Sequence, residues 1–342
     1  MAQPYYIQDS GWYYYAKETE FRTNAQGKDT AHLVGDTVYP IPLLLEEGYA
    51  WIRQRKDFKR VWTAGSHYMS HVSMVGYKDL IIKFSGPVLT HDMFMYFGTD
   101  ICDTSDDDPG ASLYTHQCDS ADTYPASPPT FQMVRVMTNN TGAESEVEQF
   151  CGCTVVEYDE RADANGQLIG SLTIHAALVI TGEVPTTRPA RSSLRAFTLS
   201  DGVLTWNSNL GILRGWSFNY KTDKKLIRGA GDYYPIIAAL PNKREIYCEI
   251  KWIPYETDTY DESQDDPHSA GNKDLVMKFS RHTTNDYWRI TFNDYFQDML
   301  EDPDFEDGLI NEIHRIEVNP HDTGSNWDFT EVNALTDDRY ET

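Results

Sequence analysis

The sequence predicts an all-β fold with minor α, organised as two tandem β units, each with a short helix. Three observations carry this. Residues Leu213 to Lys221 alternate with Trp216, Phe218 and Tyr220 on one face, and Arg244 to Trp252 alternate again through Ile246, Cys248, Ile250 and Trp252, the period of half-buried strands. The segment between them is basic and Gly-bearing, too long for a tight turn and too apolar for a free linker, so the pair reads as a long hairpin ending in a contact arm. The pattern also recurs earlier in the chain. Ala64 to Tyr68 echoes Ala230 to Tyr234, and the same register carries Lys78-Asp79-Leu80 onto Arg244-Glu245-Ile246; Cys153 to Tyr158 echoes Ile313 to Val318. Two matches in the same order suggest a duplicated unit, although period-two sequences match themselves easily.

Taken in order, residues 1–40 are polar and aromatic and read as an N-terminal arm. A first β unit is expected over 41–182. Leu43 to Trp51 suggests one helical turn leading into the first hairpin, and Arg53, Arg55, Lys56, Lys59 and Arg60 make a basic band in an otherwise acidic chain, suited to an acidic surface on a neighbouring copy. Thr90 to Phe97 has an N-cap candidate in Thr90, an acid in the first turn and a stop at Gly98, the marks of a short helix. An acidic loop insertion follows over 99–129, then a strand from Phe131 to Met137, a further helical turn over Glu144 to Phe150, and a hairpin of 152–158 with 170–181. The Pro-rich stretch 183–193 is the expected linker. The second unit, 194–342, contains the organising hairpin, a second acidic insertion over 254–272, strands at Leu275 to Ser280 and Tyr287 to Phe292, a second short helix at Asp294 to Leu300, and closing strands at Ile313 to Val318 and Trp327 to Leu335.

At 342 residues the chain has room for two domains, each able to bury its own core. Its 22 Tyr and 8 Trp exceed what cores usually consume, and such amphipathic rings serve interfaces, which favours an assembly subunit. The net charge of −24 argues against wrapping duplex DNA by counterion release, but a negative wall lets DNA pass without sticking. A salt-rich environment or a merely solvated outer surface would account for the same acidity. No stretch approaches the roughly 20 apolar residues that span a bilayer, and the start lacks the basic and apolar regions of a secretory signal, so no membrane association is expected. The five cysteines are odd in number and lack CxxC spacing, so they indicate neither a zinc site nor a disulfide framework. Cys102 and Cys118 flank one acidic loop and are the candidates for pairing in an oxidised particle.

Signatures of catalysis are missing: no GxSxG, HExxH, Walker loop or GxGxxG stands in its required context, and no cofactor is indicated. His67 and His71 are four apart in a loop rather than on a helix, and the acid runs 103–108 and 258–266 lack the Gly and Glu positions of an EF-hand, so solvated loops are the simpler reading. A glycoside hydrolase would need two carboxylates converging in one cleft; nothing in the sequence singles out a pair. The expectation is a protein that is not an enzyme.

The order of elements, with ProProThrPhe at 128–131, PheCysGlyCysThrVal at 150–155, GlySerLeuThrIle at 170–174, LeuArgGlyTrpSerPheAsnTyr at 213–220 and ArgGlyAlaGlyAspTyrTyrPro at 228–235, resembles the tail tube proteins of tailed phages and of tailed archaeal viruses. The resemblance covers residues 40 to 335 and is most specific at 150–174 and 213–252. It implies a structural virion protein, assembled in the host cytoplasm, whose two tube-like units, each a β-sandwich or barrel with a short flanking helix, would make trimeric, pseudo-hexameric rings that stack into a hollow tube for DNA delivery. Implied partners are further copies of the chain, tail terminator and tail-tip or baseplate proteins, and the tape-measure protein and DNA within the lumen. Implied ring-stacking residues lie in the long loops: Arg60, Trp62, His67 and Tyr68 in the first, and Lys224, Lys225, Arg228, Tyr233 and Tyr234 in the second. Implied lumen-facing acids are Glu157, Asp159, Glu317 and Glu331. The N-terminal arm and the acidic insertions depart from the family pattern. An alternative from another class is a β-sandwich binding or adhesion protein, such as a carbohydrate-binding decoration of a virion.

Overall fold

A computed structural model describes residues 12–18, 21, 38–44, 49–62, 69–105, 113–120, 125, 127–138, 144–163, 166–182, 194–206, 209–227, 235–239, 241, 243–254, 275–281, 286–306, 309–318 and 326–334; for 49–51, 53–62, 69–79, 103–105, 138, 144–146, 163, 209–210, 254, 298–306 and 309–311 the description is of the backbone. Within these residues the chain is all-β with minor α. In chain order the strands are β1 (Trp12–Lys17), β2 (Tyr39–Pro40), β3 (Tyr49–Trp62), β4 (Met69–Pro87), β5 (Cys102–Ser105), β6 (Tyr114–Asp119), β7 (Phe131–Thr138), β8 (Glu144–Asp163), β9 (Ile169–His175), β10 (Leu178–Thr181), β11 (Gly202–Trp206), β12 (Asn209–Thr222), β13 (Lys225–Ile227), β14 (Ile237–Ala239), β15 (Arg244–Pro254), β16 (Leu275–Ser280), β17 (Tyr287–Phe292), β18 (Tyr295–Glu306), β19 (Leu309–Val318) and β20 (Trp327–Asn333).

Two long strands hold the architecture together because each changes neighbours along its length. The first half of β8 pairs with β7 and β10, and β7 continues to β1 and β2; its second half pairs with β9 on one side and β12 on the other. The β12 strand pairs with β11 at its start and with β8 after a register shift between Leu213 and Gly215. The result is one broad sheet, β3-β4-β9-β8-β12-β15-β19-β18, and a second, β5-β6-β20-β17-β16-β11, that meets it at β12. The sheets do not close into a barrel. A bend in β8 is permitted at Gly152, whose φ is +63° and where a Cβ would lie 2.8 Å from the Ala177 Cβ; only glycine fits both the backbone and the space.

Between the sheets lies one aromatic core. The alternation expected for the organising hairpin holds: Trp216, Phe218 and Tyr220 of β12 and Ile246, Cys248, Ile250 and Trp252 of β15 are buried. Phe94, from the short helix between β4 and β5, stacks on Tyr158 of β8 at 4.6 Å and lies 5.6 Å from Phe329 of β20. It therefore touches both layers. Phe218 meets Phe329 edge-on at 5.5 Å, an arrangement favoured by ring quadrupoles.

Several expectations change. The short helix exists, but its N-cap is His91 rather than Thr90, α1 spans only Asp92–Phe94, and the chain continues as a π-helix from Met95 to Thr99. It ends at Asp100, which takes the left-handed conformation (φ 69°), and not at Gly98. The second helix expected at Asp294 to Leu300 is strand β18, and the helical turn expected at Glu144 to Phe150 is the start of β8. In both places a neighbouring strand supplies backbone partners, β19 for one and β7 for the other, and tertiary pairing outweighs weak local propensity. The echo of Cys153 to Tyr158 in Ile313 to Val318 does not extend to pairing: β8 lies beside β9, whereas β19 pairs with β15 and β18 and not with β20. Nor does each half bury its own core. Strands from either side of 183–193 pair directly, β8 with β12 and β6 with β20, and one hydrophobic cluster contains residues of both halves.

Three hairpins outrun the sheets. Residues 54–62 of β3 and 69–80 of β4 pair only with each other among the described residues, because β9 covers β4 only from Ile81 to Pro87. At the usual strand rise this arm reaches roughly 25 Å past the sheet. The β18–β19 pair continues to Glu306 and Leu309, past the segment Glu312 to Glu317 that β15 covers, and β13–β14 form a separate two-stranded ribbon between β12 and β15 in the chain.

Candidate functional site

Among the described residues, the most concentrated chemistry is buried where helix, sheets and both halves meet. The chain leaves β4 at Pro87 and turns into α1 through Thr90, whose hydroxyl donates to the Asp92 carboxylate at 2.5 Å, while that carboxylate accepts from Met93 N–H at 2.9 Å. The turn presents His91 to the core. Its backbone N–H donates to Glu331 Oε2 of β20 at 2.6 Å, and its ring Nε2 lies 2.6 Å from Glu160 Oε2 of β8. The imidazole stacks on Trp288 of β17, with ring centres 4.0 Å apart and planes within 10°.

Each carboxylate has further polar neighbours. Glu160 also accepts from Tyr158 Oη at 2.7 Å and Trp216 Nε1 at 2.9 Å. Glu331 lies 3.8 Å from Arg281 Nη2, and Arg281 in turn donates to Asp286 at 2.7 and 3.0 Å and to the Leu89 carbonyl while its guanidinium covers the Phe197 ring at 4.2 Å. The side chains of His91, Glu160, Glu331 and Arg281 are all 0 % exposed. Two carboxylates do converge here, but inside protein: both oxygens of Glu160 are engaged in hydrogen bonds, whereas Glu331 Oε1 has the Arg281 guanidinium near it without a hydrogen bond. The cluster can hold a proton and clamp elements together; it offers a substrate no approach.

Burial pushes the His91 imidazole down, but the charges and hydrogen bonds of Glu160 and Glu331 outweigh it and raise the pKa to about 9. The Tyr158 hydroxyl is pushed well up, first by burial and then by Glu160, and so remains a donor. A folded-state pKa raised above the unfolded value of 6.5 means that the native state holds a proton the unfolded chain has released. The stabilisation is complete below pH 6.5 and is lost as the pH rises through about 9. Over that window the unfolding free energy should fall by about 3 kcal/mol through this group. Chemical denaturation at stepped pH checks it: His91→Gln should flatten the slope between those limits.

A second buried charge anchors the base of the β13–β14 ribbon. Lys224 Nζ donates to Asp100 Oδ1 at 2.6 Å and to the carbonyls of Phe97 and Gly98 at 2.7 and 2.8 Å, and both charged side chains are at most 1 % exposed. It thus satisfies the carbonyls that end the π-helix. This corrects the expectation that Lys224 is a ring-stacking contact: its ammonium is consumed within the chain. Lys225, one residue on, is exposed. Arg60 and Trp62 lie on the β3–β4 arm, where the backbone alone is described, and His67, Tyr68, Arg228, Tyr233 and Tyr234 lie outside the described residues.

Three of the four expected lumen acids share one face of the broad sheet. Cross-strand pairing sets Ser171, Asp159, Asn219, Tyr247, Glu317 and Phe296 in one row and Thr173, Glu157, Lys221 and Glu245 in the next. Glu157 is 3.9 Å from Lys221, and Asp159 accepts from Asn219. Burial, then Glu157, raises the Asp159 carboxyl despite the Asn219 bond. Glu331 is the correction: it belongs to the other sheet and points into the core, because the inward register of β20 is set by Trp327 and Phe329.

Sequence reasoning missed Glu160, Arg281 and Asp100. Glu160 carried a signal, since it follows Tyr158 at the inward-facing position of β8, where an acid without a partner would be costly; Arg281 and Asp100 lie at element ends with no pattern to mark them. Among the described residues no group of three or more His, Cys, Asp or Glu side chains is placed to hold a metal ion, and no helix is long and apolar enough to cross a membrane. The sequence matches no protein-family model and no curated protein.

Proposed function

We propose that this protein is a structural subunit that assembles with itself into stacked rings, forming the hollow tail tube of a virus through which DNA is delivered. The observation that carries this reading is the β3–β4 arm, a paired ribbon that extends past its sheet with no further strand beside it among the described residues. An isolated two-stranded hairpin is marginal in water, so an arm of this length calls for a partner surface. Its sequence suits a neighbouring copy: the arm carries Arg55, Lys56, Lys59 and Arg60, while the chain as a whole has net charge −24, so opposite charges meet across the contact. The two adjacent acidic and polar rows that hold Asp159 with Glu317 and Glu157 support a lumen on the broad sheet, where negative charge would keep DNA from adhering. In this reading terminator and tail-tip proteins close the ends, and the tape-measure protein and DNA occupy the channel.

Negative-stain electron microscopy of the purified chain, concentrated in moderate and in high salt, tests the proposal. Salt screens repulsion between such acidic subunits, so rings or hollow tubes should appear as it is raised, with three-fold or six-fold end views that count the subunits. A variant in which residues 55–78 are replaced by a short Gly-containing turn should lose stacking. Dispersed monomers at every salt concentration, or tubes unaffected by loss of the arm, would overturn it.

A further inference from the structure

Cys102 and Cys118 face each other across the β5–β6 ladder as directly paired residues. Opposed residues of an antiparallel pair have Cα atoms about 4.5 or 5.5 Å apart and side chains on the same face, and both spacings lie within the range a disulfide spans. Both side chains face the core: Cys118 is fully buried with its Sγ 3.7 Å from the Met95 carbonyl, and Cys102 packs against the same cluster while partly exposed. Among the described residues β5 pairs with β6 and no other strand, so it is an edge. The other three cysteines are buried, and burial pushes the Cys153 and Cys248 thiols well up, which keeps them inert.

We infer that Cys102 and Cys118 are an oxidative modification site, a cross-strand thiol pair that a small-molecule disulfide converts into a bond fastening the edge strand β5 to β6. The accessible Cys102 thiolate attacks the oxidant and forms a mixed disulfide, releasing one small thiol. Cys118 then attacks Cys102 Sγ, its proton passing to the departing small thiolate, which leaves as the second thiol. In sum two protein thiols are oxidised and one disulfide is reduced to two thiols. The bond closes the acidic loop, residues 103–117, at its base, and edge fraying of β5 stops. This inference is independent of the tube reading.

The test uses the full chain, purified under reductant, desalted, and incubated with oxidised glutathione. The expected product is lighter by two hydrogens, and a non-reducing peptide map joins the Cys102 peptide to the Cys118 peptide. Closing a loop of this length should raise the melting temperature by about 5 °C, and dithiothreitol should reverse the shift. Cys102→Ser changes the partly exposed member and leaves the buried thiol in the core; it should abolish both cross-link and shift. A glutathione adduct that persists on Cys102, a link through any other cysteine, or no change in mass would each overturn the inference.

Discussion

Glu331→Ala should be among the most damaging single substitutions in this protein, lowering the unfolding free energy by about 3–5 kcal/mol. The residue looks unremarkable in sequence, one acid in a C-terminal strand. In the fold it accepts the His91 backbone N–H at 2.6 Å, faces the His91 ring at 3.6 Å and lies 3.8 Å from the buried Arg281 guanidinium. Removing it leaves an imidazolium and a guanidinium inside the protein with less negative charge to balance them, and a buried N–H without its acceptor. Glu331→Gln, which keeps an acceptor but not the charge, should cost about 1–3 kcal/mol and move the alkaline loss of stability to lower pH. Guanidinium unfolding followed by tryptophan fluorescence measures both. A surface acid would change stability by only about 0.5 kcal/mol in either direction, so a near-neutral Glu331→Ala would contradict the buried placement.

Lys224→Met should cost a similar amount, about 3–5 kcal/mol, for a different reason. Burial pushes the Lys224 ammonium down and the Asp100 carboxyl up, and each is held in its charged form by the other. Without the ammonium, Asp100 is a buried carboxylate with no counter-charge at hydrogen-bond distance, and the Phe97 and Gly98 carbonyls lose their donor. The Asp100 pKa, already raised by burial, rises further. Such a group favours the folded state only once protonated, so the defect should be greatest at neutral pH and shrink as the pH falls towards the unfolded value of 3.8. Adding Asp100→Asn should recover part of the loss at neutral pH, because the orphaned charge goes with it. Equal losses for the single and double variants would show that the helix carbonyls, and not the ion pair, carry the stabilisation.

How far the site was legible follows from what each residue's position depends on. Trp216, Phe218 and Tyr220, like Ile246 to Trp252, reveal their burial by alternation alone, since a strand with one wet face must write that pattern. Glu157 and Asp159 are legible as outward-facing for the same reason, and Glu317 with them. Glu331 is expected in the lumen through the resemblance alone, and local pattern offers no check on it, because β20 is buried on both sides and a doubly buried strand does not alternate. Lys224 sits in a basic stretch beside Lys225, and no local rule tells which of two adjacent lysines turns inward. The helix at 294–300 failed where local spacing was ambiguous and β19 supplied a ladder.

What the amino-acid order determined by itself is the class of fold: period-two alternation, turn residues between runs and an aromatic-rich composition specify strands that bury one face. Tertiary structure alone decided that β8 and β12 each serve two sheets, that the halves share one core, and that His91, Glu160, Glu331 and Arg281 meet. These residues are separated by as much as 240 positions, and their convergence rests on strand order and register. Those are set by the sum of many weak cross-strand contacts, which no local window contains.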